Sequence, residues 1–402
     1  MQSLRGRWQF AWILAAWAVS RAALVAAAVL AARNFLGDVY LYATWAALLV
    51  TGHYPVGDPY WQYPPGAGLL FALSAVIPPD PVNGFIALAV IADAAILALL
   101  LYGTRQQRLA PNTWWWGPWM WILGGIALGP IMVARFDLFP TVFAVAAIVF
   151  VGRPWLSGIA SGLGGLLKVW PVLLLAIIPR RRLLIAVLTA GLTMGIGLAV
   201  FAHWAPGSTS FMGEQKDRGL QAESTAALPY LLGGLIGIDP RIVLRFGSFE
   251  VTAPGAATIG LAVTLLGLAA MAGIGLLRLL GRLEHVAPGD VGLALVLVSV
   301  ATSRVFSPQY TIWLVGVAVA AGLDPKSRTR RVTLLLIAMA AVTQVVFPWL
   351  YGSLLHNGWW AIAPHALRMV MLWAATASSL AVVVAPHRCD HWPIIRRLVP
   401  PR

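Results

Sequence analysis

A chain of 402 residues, 60% hydrophobic and 10% charged, with a mean hydropathy of +0.81, lies far outside the soluble range, where about a quarter of residues are charged. The formal net charge of +14 comes from 28 Lys and Arg scattered over short loops between apolar runs, the pattern of the positive-inside rule, so it reads as membrane topology and no nucleic-acid partner is expected. The lone cysteine, Cys389, excludes a disulfide framework, a thiolate zinc site and CxxC redox chemistry.

In chain order, the first apolar run, Trp8 to Ala32, far exceeds the roughly 7 to 15 residues of a signal-peptide core and is read as a permanent anchor. Further spans are expected at 83–103, 114–133 and 138–152, as a short broken pair within 155–179, and at 183–204, 256–280, 289–303, 308–323, 332–350 and 366–385. This gives an all-α polytopic membrane protein with about 12 transmembrane helices, one domain over 1–402, and both termini cytoplasmic. The run 65–78, which starts with Pro65, and the stretch from Pro229 to Ile238 are read as short outer-side helices rather than spans. Two large extracytoplasmic loops, 33–82 and 205–254, and a cytoplasmic tail, 386–402, complete the plan.

That topology places 18 of the 28 basic residues inside, 8 outside and 2 within spans, while 9 of the 14 acids fall outside. Acids contribute little to insertion, so their outward bias needs another cause. Arg21 and Asp93 share a depth in the first two spans, where an unpaired charge costs at least ~2.5 kcal/mol, and they are expected to pair.

The outer connections carry the polar groups that invite a chemical reading. They are Asp38 and Asp58 in the first loop, Arg135 and Asp137, Lys168, then Glu214 to Glu223, and Ser303 to Tyr310. Carboxylates beside fixed cations at a bilayer surface suit a reaction in which a sugar hydroxyl loses its proton while a phosphate leaves. Each residue has a plainer reading too. Asp38 fits the N-cap of a helix over 39–50 lying in the interface, and Asp58 fits the turn that its Gly-Asp-Pro setting favours. Lys168 fits a snorkelling lysine, and Arg135 and Asp137 fit a mutually neutral pair. Tyr40, Trp45, Tyr60, Trp61 and Tyr63 suit either an aromatic belt or a sugar-stacking surface, with the belt preferred. His356, in HNGWW, reads as a loop histidine or a contact to the acceptor.

The ordered motifs GDVYLY…YWQYPPG, ARFDLFP, LLKVWP, DRGLQAES and SRVFSPQYTIWL resemble the family 87 glycosyltransferases of the GT-C superfamily, over about residues 35 to 320. The resemblance implies a GT-C fold whose first extracytoplasmic loop bears the catalytic aspartate, here Asp38. It also implies an inverting transfer, most often of mannose, from a polyprenyl-monophosphate donor to a lipid-linked glycan acceptor in the plasma membrane. Lys168, Arg218 and Arg304 are then candidates for the donor phosphate, with Asp58, Tyr63, Arg135, Asp137, Glu223, Gln309, Tyr310 and His356 as further pocket candidates. No cofactor and no metal are expected, since no Asp-x-Asp pair or histidine cluster occurs at ligand spacing. Two alternatives stand beside this: a pentosyl transferase of the same fold, and a transporter or flippase for a lipid-linked sugar. Transporters place polar sites near the midplane between repeats, and this chain shows no repeat.

Overall fold

The computed structural model describes residues 2–106, 115–211, 219–238 and 240–384, and the side chains from residue 8 onward. Most of it is helix. The first helix, α1 (Gln2–Leu30), is followed by a single turn, α2 (Ala32–Phe35), then α3 (Gly37–Leu49), the short α4 (Pro65–Ala75) and α5 (Pro81–Gln106). Next come α6 (Trp116–Leu128), α7 (Leu138–Val149), α8 (Pro154–Leu167), a 3-10 stretch at Trp170–Ile177 and α9 (Arg180–Trp204). The chain then forms β1 (Leu220–Gln221), α10 (Leu228–Gly234), β2 (Arg241–Arg245) and β3 (Ser248–Thr252). It closes with α11 (Ala256–Leu279), α12 (Pro288–Ala301), α13 (Tyr310–Ala321), α14 (Arg330–Gln344), α15 (Tyr351–Leu355) and α16 (Trp359–Val384).

Among the described residues, six helices are long and apolar enough to cross a bilayer: residues Trp8–Leu30 of α1, then α5, α9, α11, the stretch Arg330–Trp349, and α16. The long helices α9 and α11 bury only 11% and 17% of their most apolar windows and turn the rest outward. By contrast, nearly every residue of α12 and α13 is enclosed, as are most of α7 and α8. A helix of 12 residues reaches only about 18 Å, well short of the ~30 Å of hydrocarbon. The interior helices are therefore shorter than the hydrocarbon is thick.

The sequence reading placed the helices well, including the break between α8 and the 3-10 stretch and the short helix at 65–78. It missed the small sheet in the second loop. Strands β2 and β3 form a hairpin whose two turn residues, Phe246 and Gly247, have φ of 47° and 70°, the handedness that two-residue hairpins require. β1 pairs with the other edge of β3, giving the order β1-β3-β2. The last helix starts at Trp359, not at 366, because it runs on through Pro364.

Arg21 and Asp93 do pair. The guanidinium grips the carboxylate with two nitrogens, Nε at 2.8 Å and Nη2 at 3.0 Å. Trp121 donates to the same carboxylate at 2.8 Å and Trp17 donates as well, so Asp93 is fully buried yet richly partnered. Such a satisfied pair is what a mid-bilayer charge needs.

The two ends of the bundle differ in charge. At one end Arg182 donates to the Gly152 carbonyl at 3.3 Å, Arg153 meets the Tyr102 hydroxyl at 3.5 Å, and Glu284 accepts the Arg180 amide at 3.1 Å. Helix α1 starts at that end, since Arg105 lies 5.8 Å over the Phe10 ring. Asp38, which follows the far terminus of α1, lies at the other end.

Candidate active site

Arg135 organises that other end. It sits in the connection between α6 and α7, and its side chain is 5% exposed. Nη1 donates to the carbonyls of Phe35 at 2.7 Å and Ala134 at 2.8 Å, so the guanidinium is fixed from two sides. Nε then reaches Asp38 Oδ2 at 3.2 Å, and the Asp38 side chain is 40% exposed. A buried cation thus holds an accessible carboxylate. Asp38 is not the N-cap of α3: that position belongs to Leu36, and Asp38 lies in the first helical turn, where the macrodipole favours an acid.

Asp137, two residues on, turns away from Arg135 and pairs with Lys168 instead, at 2.8 Å. Its other oxygen, Oδ2, is buried without a hydrogen-bond partner among the described residues. Lys168 caps the end of α8 and keeps 23% of its side chain exposed. Its ammonium lies 4.9 Å from the ring centre of Tyr310 and 4.6 Å from that of Trp313, an arrangement that favours a cation over the ring faces. Trp313 also stacks with Tyr310 at 4.0 Å and with Trp170 at 5.0 Å.

Between the two ion pairs stand Tyr42 and Tyr63, whose hydroxyls meet at 3.2 Å. Burial pushes both phenols well above their usual range and nearby Asp38 adds to it, so they remain protonated hydrogen-bonding groups. Around them Trp45, Trp61, Phe71, Phe85 and Phe136 make an aromatic core. This corrects the belt reading for Trp45, Trp61 and Tyr63, which face inward and set the wall behind Asp38; Tyr40 and Tyr60 are the exposed members, at 49% and 42%.

Glu223 belongs to the same end. The segment around it lies along the turn between α12 and α13, where Gln221 donates its amide to Arg304 O at 3.0 Å and Thr225 its hydroxyl to Ala301 O at 2.6 Å. Glu223 is 1% exposed and bonds Arg368 at 3.0 Å. Burial pushes its carboxyl above the usual range, with Arg368 pulling the other way.

Some candidates go elsewhere. Asp58 spends both oxygens on a local turn, accepting the Tyr60 amide at 2.8 Å and the Trp45 indole at 2.7 Å. His356 is exposed and engages the Gly352 carbonyl one turn back, at 2.7 Å. The Arg304 side chain runs along Gly260 of α11, and no ion pair of it is found among the described residues. Gln309 takes the N-cap position of α13, and Arg218 lies outside the described residues. Among the described residues no group of three His, Cys, Asp or Glu comes together as a metal site would require. The sequence reading missed Arg368, His365 and Tyr351. The signal was present, since His365 and Arg368 stand three apart on one face of an apolar helix.

The fold and this cluster define a class: a polytopic helical membrane protein with a charge-rich cluster at the end opposite its arginine-rich face. Residues 61–227 match the family model of glycosyltransferase family 87. That match bears out the resemblance read from the motifs and indicates a membrane glycosyltransferase. It holds Arg135, Asp137, Lys168 and Glu223 but starts beyond Asp38, so it is shorter than the span of the motifs. No curated protein and no solved structure matched the chain.

Proposed function

We propose that the protein transfers a sugar, mannose above all, from a polyprenyl-monophosphate donor to the hydroxyl of a lipid-linked glycan of the phosphatidylinositol mannoside or lipomannan type, on the extracytoplasmic side of the plasma membrane. The observation that carries this reading is the half-exposed Asp38 held by buried Arg135, at the same end of the bundle as the Lys168 and Asp137 pair. Both proposed substrates are anchored in the bilayer, and a carboxylate at one end of the bundle suits reacting ends held at one membrane surface.

In this mechanism Asp38 accepts the proton of the acceptor hydroxyl as its oxygen attacks the anomeric carbon. The bond from that carbon to the phosphate oxygen breaks on the opposite face, which inverts the configuration, and polyprenyl phosphate leaves with the bonding electrons. Lys168 offers its spare N–H donors to the developing phosphate charge, with Arg304 and Arg218 as further cations for it. Arg135 fixes the direction of Asp38.

The test uses purified protein in detergent with radiolabelled polyprenyl-phosphate mannose, the arabinose analogue as a second arm, and a lipid extract as acceptor. Wild type is expected to label a glycolipid and Asp38→Asn to lose the activity by at least about 100-fold, the scale of general-base assistance. Full activity of Asp38→Asn overturns the assignment of the base. Labelling from the arabinose donor alone overturns mannose as the sugar, and movement of intact donor across liposomes without glycan product overturns transfer itself.

A further inference from the structure

Glu223 and Arg368 join the second loop to α16 through a pair whose side chains are at most 2% exposed. The guanidinium is poorly served. Nη2 donates to Glu223 and to Nδ1 of His365, each at 3.0 Å, while Nε and Nη1 are buried with no hydrogen-bond partner among the described residues. Since arginine never accepts, Nδ1 of His365 is the acceptor, and the ring proton on Nε2 is orphaned too. A buried pair carrying unmet donors contributes less stability than apolar side chains of similar volume. What it holds in place is the better clue.

From Glu223 the contacts run back to Asp38 without a gap. The Tyr351 hydroxyl lies beside the Glu223 carboxylate, close enough for each to shift the titration of the other. The Tyr351 ring stands edge-on to Phe347 at 5.2 Å and 72°. Phe347 in turn carries the Arg135 guanidinium 5.4 Å over its ring, and Arg135 grips Asp38. Phe347 has extended backbone angles, φ −121° and ψ 123°, at the break between α14 and α15. A residue outside regular helix depends on its neighbours for its place, and Tyr351 is the anchored neighbour.

We propose that Glu223 and Arg368, acting through Tyr351 and Phe347, are positioning residues that set Arg135 and hence the direction of Asp38. Their burial keeps them off the substrate, so they differ in kind from Asp38. The inference rests on the reading of Asp38 as the base.

Three variants, Tyr351→Phe, Glu223→Gln and Arg368→Lys, are assayed for glycosyl transfer, each alone and combined with Arg135→Lys, with Lys168→Ala as the comparison partner. Tyr351→Phe removes a single hydroxyl and keeps the fold testable. It is expected to lower kcat about 10-fold, less than the roughly 100-fold that a 1 Å misplacement costs, with KM changed less than about twofold and the thermal midpoint unmoved. Combined with Arg135→Lys it should slow the enzyme no further than Arg135→Lys alone, because both act on one link, whereas with Lys168→Ala the losses should multiply. Wild-type kcat in Tyr351→Phe and Glu223→Gln, or losses that multiply with Arg135→Lys, overturn the relay while Asp38 stands. Full activity of Asp38→Asn overturns both readings together.

Discussion

Replacing Asp93 by leucine strips the acceptor from a fully buried arginine. The Asp93 carboxylate receives Nε and Nη2 of Arg21 at 2.8 and 3.0 Å, the Trp121 indole at 2.8 Å and the Trp17 indole. Arg21 would keep only Ser20 Oγ at 3.2 Å, the Ile122 carbonyl at 3.3 Å and that of Trp121 at 3.5 Å, none of them charged. Removing one member of a buried pair costs about 3–5 kcal/mol, because the other charge is left behind. The insertion cost of a lone arginine at mid-bilayer, ~2.5–3.5 kcal/mol, is of the same order. Removing both charges, as in Arg21→Met with Asp93→Leu, leaves only the two indole N–H groups unmet, at roughly 1–3 kcal/mol each as an upper range. The double variant should therefore be more stable than Asp93→Leu alone. The assay heats detergent-solubilised, fluorescently tagged protein and follows the monodisperse fraction by size exclusion. Irreversible unfolding makes the order of the apparent midpoints the quantity to compare. The expected order is wild type, then the double variant, then Asp93→Leu. A double variant at or below Asp93→Leu refutes the argument that an uncompensated charge dominates. Glycosyl transfer per folded molecule that vanishes in the double variant refutes a purely structural role for the pair.

Other outcomes follow from the same geometry. Arg135→Lys keeps the charge but cannot reach Asp38, Phe35 O and Ala134 O at once, so kcat should fall by about 100-fold with the protein still folded; activity within twofold of wild type contradicts this. Asp58→Ala should lower stability by about 1 kcal/mol through the lost turn contacts yet retain activity per folded molecule, as thermal and kinetic assays run together will show. Gly84→Ala puts a methyl 2.0 Å from the Ser74 carbonyl oxygen, where backbone must move, and should abolish accumulation of monodisperse protein. Asp80 caps α5 through the amides of Val82 at 2.9 Å and Asn83 at 3.0 Å, and these bonds, the Asn83 amide first, hold its carboxyl below the usual 3.8. That contribution is present above pH 3.8 and is lost as pH falls through the lowered value, so acid titration of helix stability should separate wild type from Asp80→Ala at pH 5 and bring them together in strong acid.

The helices were legible because apolar runs in a membrane chain are long and leave the backbone no other way to satisfy itself. Arg21 with Asp93 was legible from depth alone, since two opposite charges in oil have no cheaper partner. The site was legible only as a set of segments. Arg135 and Asp137 looked like a neutral pair when read along the chain, yet each binds a residue from a different element, and side-chain direction decides that. The hairpin at 241–252 carried β-branched residues and a Phe-Gly turn, but the signal was short beside the apolar runs around it. Arg368 was hidden because one charge near the end of an apolar run reads as a helix end, until the helix is seen to begin at Trp359 and Arg368 to lie well inside it.

Helix α4 has 11 residues, about 16 Å of length, and yet Leu69, Leu73 and Val76 beside it are exposed at 61%, 42% and 67%. Acyl chains that meet so short a wall must shorten, tilt or leave headgroups lower than elsewhere around the protein. A bilayer dimpled in this way on the flank next to α3 would lower the headgroup of the proposed lipid-linked acceptor toward Asp38 before any contact with the protein is made.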